Sequence, residues 1–283
     1  MIFPAKEKQM DRIRILDGAT GTELIKRGYD GSNQAEWILS HPDVFEQLQA
    51  AYVEAGSEIL YTPTFVCSRS QLAHCHAEDK VEEYNRKMFS LAKKHGTTVF
   101  GDLGPTGLLS GKLGKTTEAE IYDIYRQQAS VLEDCGVDAF IIETMTTRED
   151  AINAVRAVKD ICDKPVILSL SCDKYGRLMS RTGILDILKE AEDLGIHAFG
   201  LNCSTGPEEM LPQIKKIHEN TDLPLLAKPN AGLPVIRGGK TVYDCSPEKF
   251  ASYAKEFIEN GVRYLGGCCG TTPEHIRKLA QSV

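Results

Sequence analysis

Short runs of apolar residues recur along the whole chain and alternate with stretches whose apolar positions fall at helical spacing. The runs at 13–19, 58–65, 98–105, 139–145, 165–172, 198–204, 224–232 and 264–270 are rich in Ile, Leu and Val, and several are apolar at nearly every position. Such continuous apolar character predicts strands of a parallel sheet that is covered on both faces. Among the intervening stretches 118–135 is the clearest, with Ile121, Ile124, Ala129, Val131 and Leu132 on one helical face. Pro207 and Pro273 directly follow the sixth and eighth runs, where a first-turn proline is tolerated. Gly56, Gly136, Gly195 and Gly261 each stand just after a helical stretch and before a strand, the place of a left-handed helix cap.

Eight strand-then-helix units argue for an α/β fold of the (β/α)8 TIM-barrel type. A doubly wound open sheet is the alternative, but eight units and the lack of a GxGxxG fingerprint weigh against it. The 283 residues suit one barrel, and no Ser/Gly/Pro-rich linker divides them. The expected organisation is an N-terminal extension at 1–12 and a single barrel domain at 13–283. The longest non-periodic segments, 21–42 and 106–117, follow strands, which predicts loops at the C-terminal mouth of the barrel.

Composition narrows the function classes. A formal net charge of −7 without a basic block argues against nucleic acid as a partner. No run of about 18 apolar residues is present, so no membrane span is expected. The first residues, Met1-Ile2-Phe3-Pro4-Ala5-Lys6, lack the apolar run of a signal peptide. Nine cysteines, an odd number without framework spacing, read as reduced thiols in a cytoplasmic protein. Cys67, Cys75, Cys135, Cys162, Cys172 and Cys245 then serve mostly as small buried apolar residues.

The remaining three cysteines differ. Cys268 and Cys269 are adjacent and flanked by Gly267 and Gly270. A disulfide between neighbours closes a strained eight-membered ring, and two adjacent thiolates repel unless a cation holds them. A soft closed-shell metal such as zinc does so. Active sites of barrels lie at the C-terminal strand ends, and Cys203 ends the sixth strand two places from the pair. Cys203 is therefore the natural third ligand, the alternative being three ordinary buried thiols. Asn230, in Pro229-Asn230-Ala231-Gly232, ends the strand between them and can supply an exchangeable fourth ligand. Three protein ligands and one open position is the pattern of a catalytic zinc. Asp17 and Glu143 also fall at strand ends. Spacing alone allows each to cap a loop or pair with a basic residue, or the two together to hold a cationic amine. Asp102 reads as loop-fixing, and His74 and His76, flanking Cys75, as surface residues.

Zinc with three thiolates is a poor Lewis acid for hydrolysis, but it lowers the pKa of a fourth thiol and prepares it for alkyl transfer. Four segments carry a family resemblance: Asp17-Gly18-Ala19-Thr20-Gly21-Thr22-Glu23, Gly200-Leu201-Asn202-Cys203-Ser204-Thr205-Gly206-Pro207, Pro229-Asn230-Ala231-Gly232 and Gly266-Gly267-Cys268-Cys269-Gly270-Thr271-Thr272-Pro273. In these the chain resembles the zinc-dependent homocysteine S-methyltransferase family, from about Arg14 to the C-terminus. Within that family it is most similar to the homocysteine-binding module of cobalamin-dependent methionine synthases. The resemblance implies zinc on Cys203, Cys268 and Cys269, and Asn230 in the fourth position until substrate displaces it. It implies Asp17 and Glu143 on the homocysteine amino group, and backbone amides near Gly18, with Thr64, on its carboxylate. Two departures stand out. Thr62-Pro63-Thr64-Phe65 lacks the Asn that the family often has before Thr-Phe, and Lys228 precedes Pro229 where a bulkier or acidic residue is common.

The resemblance covers one module only, and no Asp-x-His-x-x-Gly motif for a lower corrinoid ligand is present. The expected donor is therefore methylcobalamin or another methylated corrinoid on a separate protein. S-methylmethionine or S-adenosylmethionine as donor, and a non-catalytic zinc- or thiol-binding subunit or sensor, are the alternatives.

Overall fold

The apolar runs become eight parallel strands wrapped by helices in a computed structural model that describes residues 12–110 and 114–283. The first half comprises β1 (Arg14–Ile15), α1 (Gly21–Lys26), α2 (Gln34–Ser40), α3 (Pro42–Glu54), β2 (Ile59–Tyr61), α4 (Arg69–Ala73), α5 (Val81–Lys93), β3 (Thr98–Leu103), α6 (Glu118–Cys135), β4 (Ala139–Met145) and α7 (Arg148–Lys159). The second half comprises β5 (Val166–Leu170), α8 (Ile184–Asp193), β6 (Ala198–Asn202), α9 (Pro207–His218), β7 (Leu225–Lys228), β8 (Val235–Arg237), β9 (Lys240–Val242), α10 (Pro247–Ser252), α11 (Ala254–Glu259), β10 (Val262–Leu265) and α12 (Pro273–Ala280). The sheet order is β1-β10-β7-β6-β5-β4-β3-β2, every pair parallel. A parallel bridge between Leu16 and Ile59 joins its two ends, so the sheet closes on itself as the (β/α)8 pattern predicts. β8 and β9 form an antiparallel hairpin after the seventh barrel strand.

Alternating strand residues divide the core in two. Leu16, Ile59, Phe100, Ile141, Ile167 and Leu226 belong to the cluster inside the barrel, and a larger cluster fills the layer between strands and helices. The helix expected at 118–135 forms over those bounds and buries its five anticipated apolar residues. Thr117 and Glu120 cap its start reciprocally, and Gly136 ends it at φ 86°. Pro207 and Pro273 open α9 and α12 as expected.

Two expectations need correction. The segment 21–42 carries α1 and α2, whose starts are marked by no apolar run; Asn33 caps α2 by accepting the Ala35 and Glu36 amides. The strands also stop short of the apolar runs at the mouth; β6 ends at Asn202, where Cys203 and Ser204 turn into the positive-φ region, and β7 and β10 end at Lys228 and Leu265. The extension expected at 1–12 lies, but for Arg12, outside the described residues. No helix among the described residues is long and apolar enough to cross a membrane.

A Cβ built at Gly136 meets nothing within 4 Å, so its positive φ is the only obstacle to a side chain. Gly136→Ala should therefore lower stability by roughly 1 kcal/mol, read as a lower urea midpoint at unchanged slope. An unchanged midpoint contradicts the cap.

Candidate active site

Three strand ends are tied together at the mouth by backbone hydrogen bonds. Cys203 N–H donates to the Lys228 carbonyl at 3.1 Å, Cys268 N–H to the Pro229 carbonyl at 2.9 Å, and Ala231 N–H to the Cys269 carbonyl at 2.9 Å. The loops after β6, β7 and β10 thus become one unit. Cys203 and Ser204 hold φ near 60°, an uncommon conformation for residues with side chains. Gly270, at φ 82°, admits nothing larger, since an added Cβ would lie 2.2 Å from the Tyr243 ring.

The unit brings the Sγ atoms of Cys203, Cys268 and Cys269 within 4.8 Å of one another. The Cys203–Cys269 separation is 3.9 Å. Tetrahedral zinc with bonds of about 2.3 Å spaces its sulfurs by about 3.8 Å, so the trio has the dimensions of a zinc site. Asn230 is buried, and its Oδ1 has no hydrogen-bond partner. Such an orphaned oxygen costs about 1–3 kcal/mol, and a cation shared with the three sulfurs would satisfy it. The soft donor set suits zinc.

Without a cation the three thiols share their protons unequally. Hydrogen bonds from Cys203 and Cys268 hold Cys269 down at about 3. The hydrogen bond with Cys268 lowers Cys203, but that with Cys269 and burial carry it up to about 11. Hydrogen bonding to Cys203 and Cys269, then burial, push Cys268 well above its ordinary value. Thiolates this close repel one another, so the buried trio resists full ionisation, and a divalent cation would favour it.

A cavity of about 230 Å³ adjoins the trio, lined among others by Asp17, Gly18, Tyr61, Asp102, Glu143 and Lys228. Asp17 is already engaged: its Oδ1 accepts from Lys228 Nζ at 2.8 Å and its Oδ2 from the Tyr61 N–H at 3.0 Å. Lys228 Nζ also sits 3.7 Å from the centre of the Tyr61 ring. Both charged side chains are buried. Burial opposes the lysine's charge, but Asp17 and then Glu143 outweigh it and raise the Lys228 pKa. Removing one partner of a pair so enclosed costs about 3–5 kcal/mol.

Glu143 precedes a break in the ladder at Thr144, whose φ is 61°. Asn202 fixes this break. Its Oδ1 accepts the Thr144 N–H and the Ser169 hydroxyl, both at 2.8 Å, and its Nδ2 donates to Thr144 Oγ1 at 2.7 Å and more weakly to Glu143 at 3.4 Å. Burial raises the Glu143 pKa to about 7, against the pull of Lys228.

Of the residues expected from sequence, Cys203, Cys268, Cys269, Asp17, Gly18 and Glu143 meet at this cavity; Asn230 is on the adjoining loop, between Pro229 and Ala231, which are hydrogen-bonded to Cys268 and Cys269. Thr64 does not reach it. Its hydroxyl donates to the Asp102 carbonyl at 2.7 Å and contacts Thr62, inside the wall. The loop-fixing role expected of Asp102 is corrected: its side chain lines the cavity, its Oδ1 has no partner, and burial, then Glu143, push its pKa well up. His74 and His76 are exposed. Sequence reasoning missed Asn202 and Tyr61. The one signal for Asn202 is its place next to Cys203 at a strand end.

A family model described as homocysteine S-methyltransferase matches residues 14–283. The methionine synthase of Mycobacterium leprae (strain TN) is 32% identical over 302 residues, covering 98% of this chain and 25% of that protein. That of Mycobacterium tuberculosis (strain ATCC 25618 / H37Rv) is 32% identical over 297 residues, covering 96% and 25%. The chain thus spans about a quarter of the length of these relatives. In fold it is similar to the metallated form of the homocysteine methyltransferase MmuM from Escherichia coli, with a TM-score of 0.82, 22% identity and 96% of each chain covered. The oxidized form of that enzyme gives a TM-score of 0.84, with 98% of this chain and 97% of that one covered.

The purified protein should bind zinc one to one. Loss of an outer-sphere partner already costs a metal site about 10–100-fold, so Cys203→Ala should weaken zinc binding by at least that much in competition with a chromophoric chelator. His74→Ala should leave it unchanged. Wild-type affinity in Cys203→Ala contradicts the assignment.

Proposed function

This chain belongs to the homocysteine S-methyltransferase family, and on that premise we propose that it transfers a methyl group to the thiol of homocysteine, giving methionine. The observation that carries this reading is the three-cysteine cluster, with an unpartnered Asn230 oxygen, opening onto a cavity lined by carboxylates. Zinc held by Cys203, Cys268 and Cys269 would supply a Lewis acid that keeps the accepting thiol deprotonated near neutral pH. Asn230, whose Oδ1 has no partner, would be the further protein ligand that such an ion could take. Glu143 receives the substrate ammonium once its own carboxyl has ionised. Gly18 lets the loop after β1 come close to the carboxylate end. A side chain there would collide with Tyr52, whose hydroxyl is committed to the Ala19 carbonyl at 2.7 Å. The substrate's sulfur lone pair attacks the methyl carbon in line. A carbon–sulfur bond forms as the donor–methyl bond breaks, the donor keeps that electron pair, and the thiol proton goes to solvent.

The donor we propose is a methylated corrinoid such as methylcobalamin, carried by a separate protein or module. Support comes from the two methionine synthases, of which this chain spans one quarter. Nine free cysteines favour a reducing compartment, so we place the reaction in the cytoplasm.

Zinc-loaded protein with homocysteine should form methionine from methylcobalamin faster than from S-methylmethionine or S-adenosylmethionine. Methionine from either sulfonium donor alone would overturn the donor assignment, and none from any donor would overturn the reaction. Glu143 ionises as pH rises through about 7. Its pairing with the substrate ammonium should therefore strengthen between pH 6 and 8, by up to about tenfold per unit of pKa difference expressed. Titration calorimetry of homocysteine against wild type and Glu143→Gln isolates this gain. Identical pH profiles contradict the role of Glu143.

A further inference from the structure

An ammonium group already occupies the floor of the substrate cavity. Lys228 reaches from the end of β7 to Asp17 at 2.8 Å and to the face of Tyr61 at 3.7 Å. A carboxylate beside an aromatic face is what recognises a primary ammonium, and here the chain's own lysine fills it. Two consequences follow for any thiol that enters. Asp17 has its charge neutralised and one oxygen further occupied by the Tyr61 N–H, so a second ammonium beside it meets the like charge of Lys228. Lys228 in turn has three N–H donors, of which Asp17 takes one and the Tyr61 ring faces the group. It lines the cavity, where it can donate to an anion.

We propose that Lys228 is a specificity-determining residue that shifts recognition of the accepting thiol from its ammonium to its carboxylate. This rests on the reading of the site as a thiol methyltransferase. The substrate carboxylate pairs with Lys228, and its ammonium keeps Glu143 alone. The ligand class is ω-mercaptocarboxylates, of which homocysteine is an amino-substituted member.

The test compares three thiols on the zinc-loaded wild-type protein by calorimetry and by methyl transfer from methylcobalamin. They are homocysteine, 4-mercaptobutyrate, which lacks the ammonium, and 3-aminopropane-1-thiol, which lacks the carboxylate. A site that pairs with a group rejects the analogue lacking it far more than a site that does not. Loss of the ammonium should cost less than about tenfold in affinity and loss of the carboxylate more than about tenfold. Lys228→Met frees Asp17 and should reverse the order of the two analogues, a reversal that simple loss of stability does not produce. If Lys228→Met does not fold, Lys228→Met combined with Asp17→Asn removes both charges and should abolish the preference for 4-mercaptobutyrate. A wild type that binds 3-aminopropane-1-thiol as well as, or better than, 4-mercaptobutyrate overturns the role of Lys228 while leaving homocysteine methylation standing. If none of the three thiols binds, the functional reading itself falls, and this inference with it.

Discussion

Everything at the mouth depends on three backbone hydrogen bonds that tie the ends of β6, β7 and β10 together. Parallel strands diverge as they leave a barrel, and loops that follow them are ordinarily independent. Here Cys203, Cys268 and Ala231 each donate an amide proton to the neighbouring loop, so cysteines 65 and 66 residues apart in sequence hold a fixed spacing. Strain at Cys203 and Ser204 and the crowding at Gly270 are sustained by that network. A three-cysteine cluster preorganised in this way would need little rearrangement to close around an ion.

The second constraint is charge. Asp17, Asp102 and Glu143 share one cavity with the cysteines, and Lys228 is the cation that lines it with them. Without Lys228 the carboxylates would repel one another in a poorly solvated space; with it, Asp17 stays paired while Glu143 titrates close to neutrality. The arrangement separates two carboxylates of similar chemistry into different roles, one structural partner to a lysine and one available to substrate. Asn202 supports that division by gripping the break in β4 next to Glu143, and it does so one residue before the first cysteine. The cysteine cluster and Glu143 are thereby linked through one strand end.

Much of this was legible in the sequence because the signals were local. Apolar runs at regular spacing give the barrel, Gly136 and Pro207 mark helix ends, and the doublet Cys268-Cys269 demands a cation. Cys203 followed from strand order alone, since every parallel strand end faces one mouth. What stayed hidden depends on distance in three dimensions. Asp17 and Lys228 are 211 residues apart, and spacing allowed Asp17 either a basic partner or a substrate amine; the structure gives it the lysine. Thr64 sits beside the right strand end, but its hydroxyl is consumed by Asp102 and Thr62 within the wall. Asp102 itself was misjudged because its Gly-Asp-Leu-Gly-Pro setting resembles a turn, whereas the residue lies within β3 and its side chain meets the cavity. The short helices α1 and α2 escaped notice because packing, more than periodicity, stabilises elements of six or seven residues.

The central claim is that the three cysteines hold zinc with one exchangeable position, and that the accepting thiol enters there. X-ray absorption at the zinc edge tests it most directly. The account predicts three sulfur neighbours at about 2.3 Å and one oxygen at about 2.0 Å in the resting protein, changing to four sulfurs when homocysteine is added. A sulfur count that stays the same after homocysteine, or that is below three at the start, would contradict it.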